Sequence, residues 1–588
     1  MDVYSLTIAA SILIFFIIGN YAGRSVKKLD DYYVAGRRAP TLLIVGTLVA
    51  SLFSTSMFLG ETGFTYAGQL GPYILFPGIA VIGYVYGALL FGVYLRRSRA
   101  PTVADFFGQR FNSHRVQQAA GVTIIVGLGG YLLVVTQGAA ILLSDLTGLS
   151  YVQGLIVAWF SYTIFTMYSG SKGVILTDTL MFLLFTAATV LFVFYVIGDF
   201  GGLANAVEGM TRIDGKPGIA SWHGIVGPGT EWPTAMDYLI WAVVIDLSWG
   251  IVYAVGPWQA SRHLMARDEH VVVRAAIYTC VIVLLMQILI YGIGGLINIA
   301  NPNISPVETV MIWGAKNLVP SFLGALLLAG IMAAALSSAS TFLSLVGFSV
   351  SNDIIEREKE LSLRATRFVM MGVGVIVLMA SFVFPPNVFW LMIFIGTVFA
   401  SSWGPVALMS IWSKRITKSA AFWGIVTGFA FNVVPSALVY MGLIDLPSYS
   451  DPVIIGAVAS IATIIIVSAM GKVSREEAVY RMRLHRTPAV DWDSAKTKVT
   501  LFAPALLFIF GCLMPFAMVN FYVVPYQAGT GALLPDGSIN WFTGEAFLAV
   551  SWAAVYIPLA LISAYMVRRM YSPERAADII VSSKRTAS

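Results

Sequence analysis

Apolar residues run through this chain in fifteen blocks of roughly membrane-spanning length, from Val3–Tyr21 to Phe547–Met566, separated by short stretches that carry nearly all the charge. About 20 consecutive apolar residues cross a hydrocarbon core as a helix whose backbone bonds itself. The pattern therefore predicts an all-α polytopic membrane protein of about 15 spans. The first block has no basic flank before it and no small-residue cleavage site after it, and so reads as a retained span.

Three blocks break the uniform apolar pattern. The ninth, Leu323–Ser349, is uncharged but places Ser337, Ser338, Ser340 and Thr341 in five positions, where lipid offers hydroxyls no partner. At helical spacing Ser337, Ser340, Thr341 and Ser344 share a face, with Ser338 on its flank. They suit either a dehydrated alkali cation or a tight contact between helices. The second block holds Ala50-Ser51-Leu52-Phe53-Ser54-Thr55-Ser56-Met57-Phe58-Leu59-Gly60-Glu61, and the seventh holds Asp246-Leu247-Ser248-Trp249-Gly250 and ends Gly256-Pro257-Trp258-Gln259. Helices interrupted at bilayer depth free backbone carbonyls, which are sodium ligands, and two such blocks each opening a group of five fit an inverted repeat around a midplane site. A packed Ser/Thr face is the competing reading.

Isolated polar residues add candidates. Gln137 lies amid apolar residues of the fourth block, facing a cavity or another helix. Asp178 stands six residues into the sixth block, and a carboxylate there must coordinate or pair; Lys172 at the membrane edge is the nearest basic residue in sequence. Asp246 raises the same question, with Trp249 and Tyr253 at helical spacing suited to a substituted ammonium group. No Lys or Arg falls inside the core of any block, so water, an ion, a hydroxyl or the solute would have to be its partner.

Composition fits this reading: 58% hydrophobic and 11% charged residues, with a mean hydropathy of +0.81, exclude a soluble core. With the N-terminus outside and the C-terminus inside, the outer loops hold only Arg212, Lys216 and Lys316, leaving 33 of 36 basic residues inside. The net charge of +6 thus belongs to cytoplasmic loops and does not point to nucleic acid. Cys280 and Cys512 fall within blocks, the five histidines lack metal-ligand spacing, and no phosphate-binding loop, nucleophile elbow or zinc-protease helix appears, which argues against a pump or an enzyme.

Five motifs give the chain a resemblance. Asp30-Asp31-Tyr32-Tyr33-Val34-Ala35-Gly36-Arg37, the polar second block, Thr177-Asp178, the Ser-rich ninth block, and Gly404-Pro405-Val406-Ala407-Leu408 through Trp412, Arg415 and Thr417 together resemble the sodium/solute symporters, which include sodium–glucose, proline, pantothenate and sialic acid carriers. The resemblance covers roughly residues 1–470. It implies a leucine-transporter-type (LeuT) fold, alternating access, and sodium as the coupling ion. Carried over by position, the shared sodium site falls on the carbonyls of Ala50, Phe53 and Ala334 and the hydroxyls of Ser337 and Ser338. A second sodium site of some relatives would fall on Asp178, Ser340 and Thr341, and a solute cavity on Ser56, Met57, Gln137, Asp246, Trp249 and Tyr253. Leu52, where proline carriers have an aspartate, and Met181, where Gln often follows Thr-Asp, count against a proline carrier.

The expected organisation is an accessory span and loop (1–41), a first inverted repeat (42–197), an extracellular loop (198–237), a second repeat (238–412), accessory spans (413–470), a cytoplasmic segment with a solvated helix (471–500), and two further accessory spans with a basic tail (501–588). The expected function is sodium-coupled symport of an amino acid, amine or organic acid by a multi-pass protein of the inner (plasma) membrane. A transporter-like sensor, a simple monocarboxylate carrier and, more remotely, a sodium channel are the rivals. Oligomeric state has no signature in the sequence.

Overall fold

A computed structural model describes residues 2–24, 26–354 and 361–571; the basic tail lies outside these. Its main helices are α1 (Val3–Gly23), α2 (Thr41–Leu52), α3 (Ser56–Leu75), α4 (Pro77–Ser98), α5 (His114–Thr147), α6 (Tyr151–Asp199), α7 (Ala235–Val255), α8 (Pro257–Met265), α9 (Glu269–Leu296), α10 (Ser321–Phe348), α11 (Leu363–Val383), α12 (Val388–Ser402), α13 (Gly404–Trp412), α14 (Lys418–Tyr440), α15 (Pro452–Met470), α16 (Ser494–Met518) and α17 (Gly544–Tyr571). Among the described residues thirteen helices are long and apolar enough to cross a membrane, and the bent pair α2–α3 makes a fourteenth. The shorter apolar helix Tyr151–Ile164 takes the remaining expected place. It continues into the rest of α6 through Gly170, whose φ of 53° and ψ of −157° no L-residue adopts easily.

The elements begin where side chains can bond free amides. Ser150 and Gln153 form a capping box at the start of α6, Thr234 and Asp237 at α7, and Ser474 and Glu477 at the cytoplasmic helix Arg475–Leu484, the surface helix expected within 471–500. Both expected helix breaks are present. The chain bends by 53° between α2 and α3, and α7 stops at Gly256 (ψ 137°) before Pro257 starts α8.

Helices α3, α4, α7 and α9 pack together, α5, α6 and α10 form a second group joined by α1, and α2 lies between the two against α6, α9 and α10. Helix α10 is buried from Gly324 to Phe348 except at Leu326 and Leu345, which places its hydroxyls at the centre of the molecule. By contrast α1 and α11 expose Leu6, Leu13, Phe368 and Val383, the faces that meet lipid. The C-terminal helix is tied to the core: Trp552 Nε1 donates to Leu75 O at 2.8 Å and Tyr556 Oη to Gly78 O at 2.9 Å, carbonyls at the Phe76–Pro77 turn. At the cytoplasmic side Arg97 donates twice to Glu269 at 2.7 Å and once to Leu484 O, also at 2.7 Å, and Glu269 accepts from Tyr571 at 3.0 Å.

Small residues set the contact of α4 on α7. A Cβ on Gly83 would lie 2.1 Å from Gly250 O, and one on Gly87 2.4 Å from Ala254 Cα. Gly83→Val should therefore separate the two helices and lower the detergent melting temperature, overpacking alone costing about 1–3 kcal/mol. Gly129→Ala, where nothing lies within 4 Å of the new Cβ, is the control. Equal melting of the two variants would remove the close approach as a determinant.

Candidate functional site

The break after α2 creates the first feature. Phe53 adopts an extended conformation (φ −72°, ψ 112°), and the Met57 amide turns to Ser54 O at 3.1 Å, so Phe53 O loses the helical partner it would otherwise have. Ser338 of α10 fills the gap: its Oγ lies 3.1 Å from Phe53 O and 3.3 Å from Ala50 O. Ala334 stands one turn before Ser338 and Ser337 beside it, all fully buried. Three of the five expected ligands are thus in mutual contact, at the C-terminal end of a half-helix whose dipole favours a cation.

The neighbouring Ser337 is turned to a different partner. Its Oγ donates to Asp178 Oδ1 at 2.7 Å, and Thr47 donates to Asp178 Oδ2 at 2.5 Å. The expected absence of basic residues from the span cores is corrected here: Arg262 of α8 is 2% exposed, with Nη2 3.6 Å from Asp178 Oδ2 and bonded to Thr341 Oγ1. The sequence-neighbour Lys172 instead pairs with Asp31 at 3.7 Å. Ser340 donates to Ser337 O within its own helix at 2.8 Å. Two of the three residues proposed for a second sodium are therefore engaged by a guanidinium, and the third by its own backbone.

The third feature is a cavity of about 50 Å³, room for roughly three or four waters. Met57, Asp246, Trp249 and Tyr253 line it, as expected. Two expected members do not, and both are corrected. Gln137 on α5 donates instead to Phe384 O at 2.8 Å, satisfying a carbonyl where α11 ends. Ser56, fully buried, lies outside the lining, because the first turn after the break directs Met57 and, one turn later, Glu61 to the cavity. Glu61, Tyr73, Trp241, Gln287 and Tyr291, none of them expected from the sequence, also line it. The cost of a carboxylate in a span, already applied to Asp178 and Asp246, was the signal for Glu61.

Comparison with known proteins gives the arrangement its context. The family model described as "SSF: Sodium:solute symporter family" matches residues 32–428. The sodium/pantothenate symporter of Escherichia coli (strain K12) is 24% identical over 457 residues, 74% of this chain and 92% of that protein. The sodium/proline symporter of the same organism is 24% identical over 453 residues, 73% and 87% of the two chains. Among solved structures, a Na+-coupled sialic acid symporter in a substrate-bound outward-open state superposes with a TM-score of 0.67 at 18% identity, covering 81% of this chain and all but 1% of its own. That likeness shows the LeuT-type fold. With a family match over more than half its length, this multi-pass protein of the inner (plasma) membrane belongs to the sodium:solute symporter family, which couples sodium to the transport of small organic solutes.

Proposed function

We propose that the chain carries one sodium ion per cycle at Ala50, Phe53, Ala334, Ser337 and Ser338, together with a solute bearing a protonated nitrogen at Asp246, by alternating access between the repeats at 42–197 and 238–412. The observation that carries the reading is the Ser338 hydroxyl bridging toward two carbonyls freed by the α2–α3 break, which joins one helix group to the other at the place an ion would occupy. Sodium binding there would link the groups; its loss would release them. Arg262 supports a single ion, because its fixed positive charge already stands beside Asp178 and Thr341. Trp249 and Tyr253, with ring centroids 5.7 Å apart, offer the cation the aromatic faces that a carboxylate solute would not use.

On this reading the protein is a carrier and not an enzyme, sensor or channel, and nucleic acid is not a partner. Purified protein in liposomes tests it. Saturable uptake of an amine-bearing solute that stops when the inward sodium gradient is abolished is the expected result. Binding without flux would make the protein a receptor, sodium flux without solute a channel, and a preferred simple monocarboxylate would overturn the role of Asp246.

A further inference from the structure

The cavity carries two carboxyl groups, of which the proposed solute nitrogen uses one. Glu61 and Asp246 both line it, and Glu61 is 8% exposed. Among the described residues no Lys, Arg or His lines the cavity, and no ion pair reaches either carboxylate. The buried guanidinium of Arg262 is committed to Asp178 and Thr341. An uncompensated carboxylate at bilayer depth is costly, and two in one cavity repel each other besides.

One wall amide adds a further acceptor. Gln287 is 3% exposed, and its Oε1 has no hydrogen-bond partner, although its Nε2 donates to Tyr291 Oη at 3.2 Å. A buried acceptor left open on a cavity wall requires a donor from the occupant. On the walls the two carboxylates and this amide oxygen accept, the unpartnered indole N–H of Trp249 donates, and the phenol hydroxyls of Tyr73, Tyr131, Tyr238 and Tyr253 can do either. Ammonium and guanidinium groups donate only, whereas a carboxylate solute accepts only. The remaining surface is apolar and partly aromatic: Tyr73, Trp241, Trp249, Tyr253 and Tyr291 share it with aliphatic residues such as Leu52, Ile245 and Ile393, and the Tyr253 ring is itself held by stacking on Tyr84 at 4.9 Å.

We propose that the solute carries two protonated nitrogens on a slim chain, one for Asp246 and one for Glu61: a diamine or an amine bearing a guanidinium group. This rests on the cavity being the solute site of a sodium-coupled carrier. It goes further in assigning Glu61 as the residue that separates dications from monocations. A monoamine or zwitterion would leave one carboxylate unmatched.

The test is equilibrium binding to the purified full-length protein at saturating sodium. Diaminobutane, diaminopentane and agmatine would be compared with butylamine, pentylamine and proline. At least one dication is expected to bind about tenfold or more tighter than its matched monoamine, the factor that one charge-assisted hydrogen bond supplies. Glu61→Gln and Asp246→Asn should each erase that preference, and a retained sodium-induced melting shift shows that the variant is folded. If a variant does not fold, the preference of the parent protein decides alone. Dications binding no tighter than monoamines, no binding of any dication, or a preference that survives in both folded variants would each overturn the proposal. Failure of the underlying symport reading looks different: a dication preference that persists unchanged when sodium is replaced by potassium would uphold the assignment of Glu61 and remove sodium coupling.

Discussion

Ser338→Ala is expected to raise the sodium concentration for half-maximal uptake by about tenfold or more, with protein yield and melting nearly unchanged. Its hydroxyl is the group that faces both Ala50 O and Phe53 O, at 3.3 and 3.1 Å. Losing one oxygen from a shell of about five around a small hard cation removes an interaction of the charged-hydrogen-bond class, roughly 1.5–3 kcal/mol. A hydroxyl that merely packs between membrane helices contributes about 0.6 kcal/mol, or roughly a threefold effect. Ser337→Ala should be milder for sodium, since that hydroxyl is spent at 2.7 Å on Asp178. Uptake measured across a sodium titration in liposomes decides: equal apparent sodium affinity in parent and Ser338→Ala would place the ion elsewhere.

The second large effect is expected at Arg262. Replacing it by Met leaves the Asp178 carboxylate, fully buried, without its cation, and removing one partner of a buried ion pair typically costs about 3–5 kcal/mol. Arg262→Met should therefore melt far below the parent in low sodium, and the double variant Arg262→Met, Asp178→Asn should recover most of the loss. High sodium should also rescue the single variant, by supplying the missing charge among Asp178, Ser337 and Thr341. The sodium Hill coefficient of uptake, one in the parent, should then rise above one. A coefficient above one in the parent would show that the guanidinium does not displace a second ion.

The helix plan was legible because each span is a long apolar run, and the Phe53 and Gly256 breaks showed as Ser, Gly and Pro where such runs should be uniform. Arg262 was hidden because Ser261-Arg262-His263 reads as the start of a loop, whereas Pro257–Met265 is a buried helix; only tertiary cover makes that polar stretch interior. Gln137 misled because its partner, the carbonyl of Phe384, lies 247 residues away. Glu61 sat in a motif already explained by the helix break, and which way it points depends on how the chain re-enters a helix after Phe53. The oxygens assigned to sodium and four wall residues, Met57, Asp246, Trp249 and Tyr253, came from positions shared with a family; the rest of the walls, drawn from seven different helices, did not.

Arg97 at the end of α4 binds Glu269 at the start of α9 and Leu484 O of the surface helix, while Glu269 also accepts from Tyr571 at the end of α17. Alternating access needs one part of the molecule to swing against another, and a buried guanidinium with this many short bonds is a poor hinge. The inner ends of α4, α9 and α17 therefore travel as a single lever arm, with the 471–500 segment as its clasp. On the proposed cycle the sliding surface is the ion site itself, where the α10 hydroxyls meet α2.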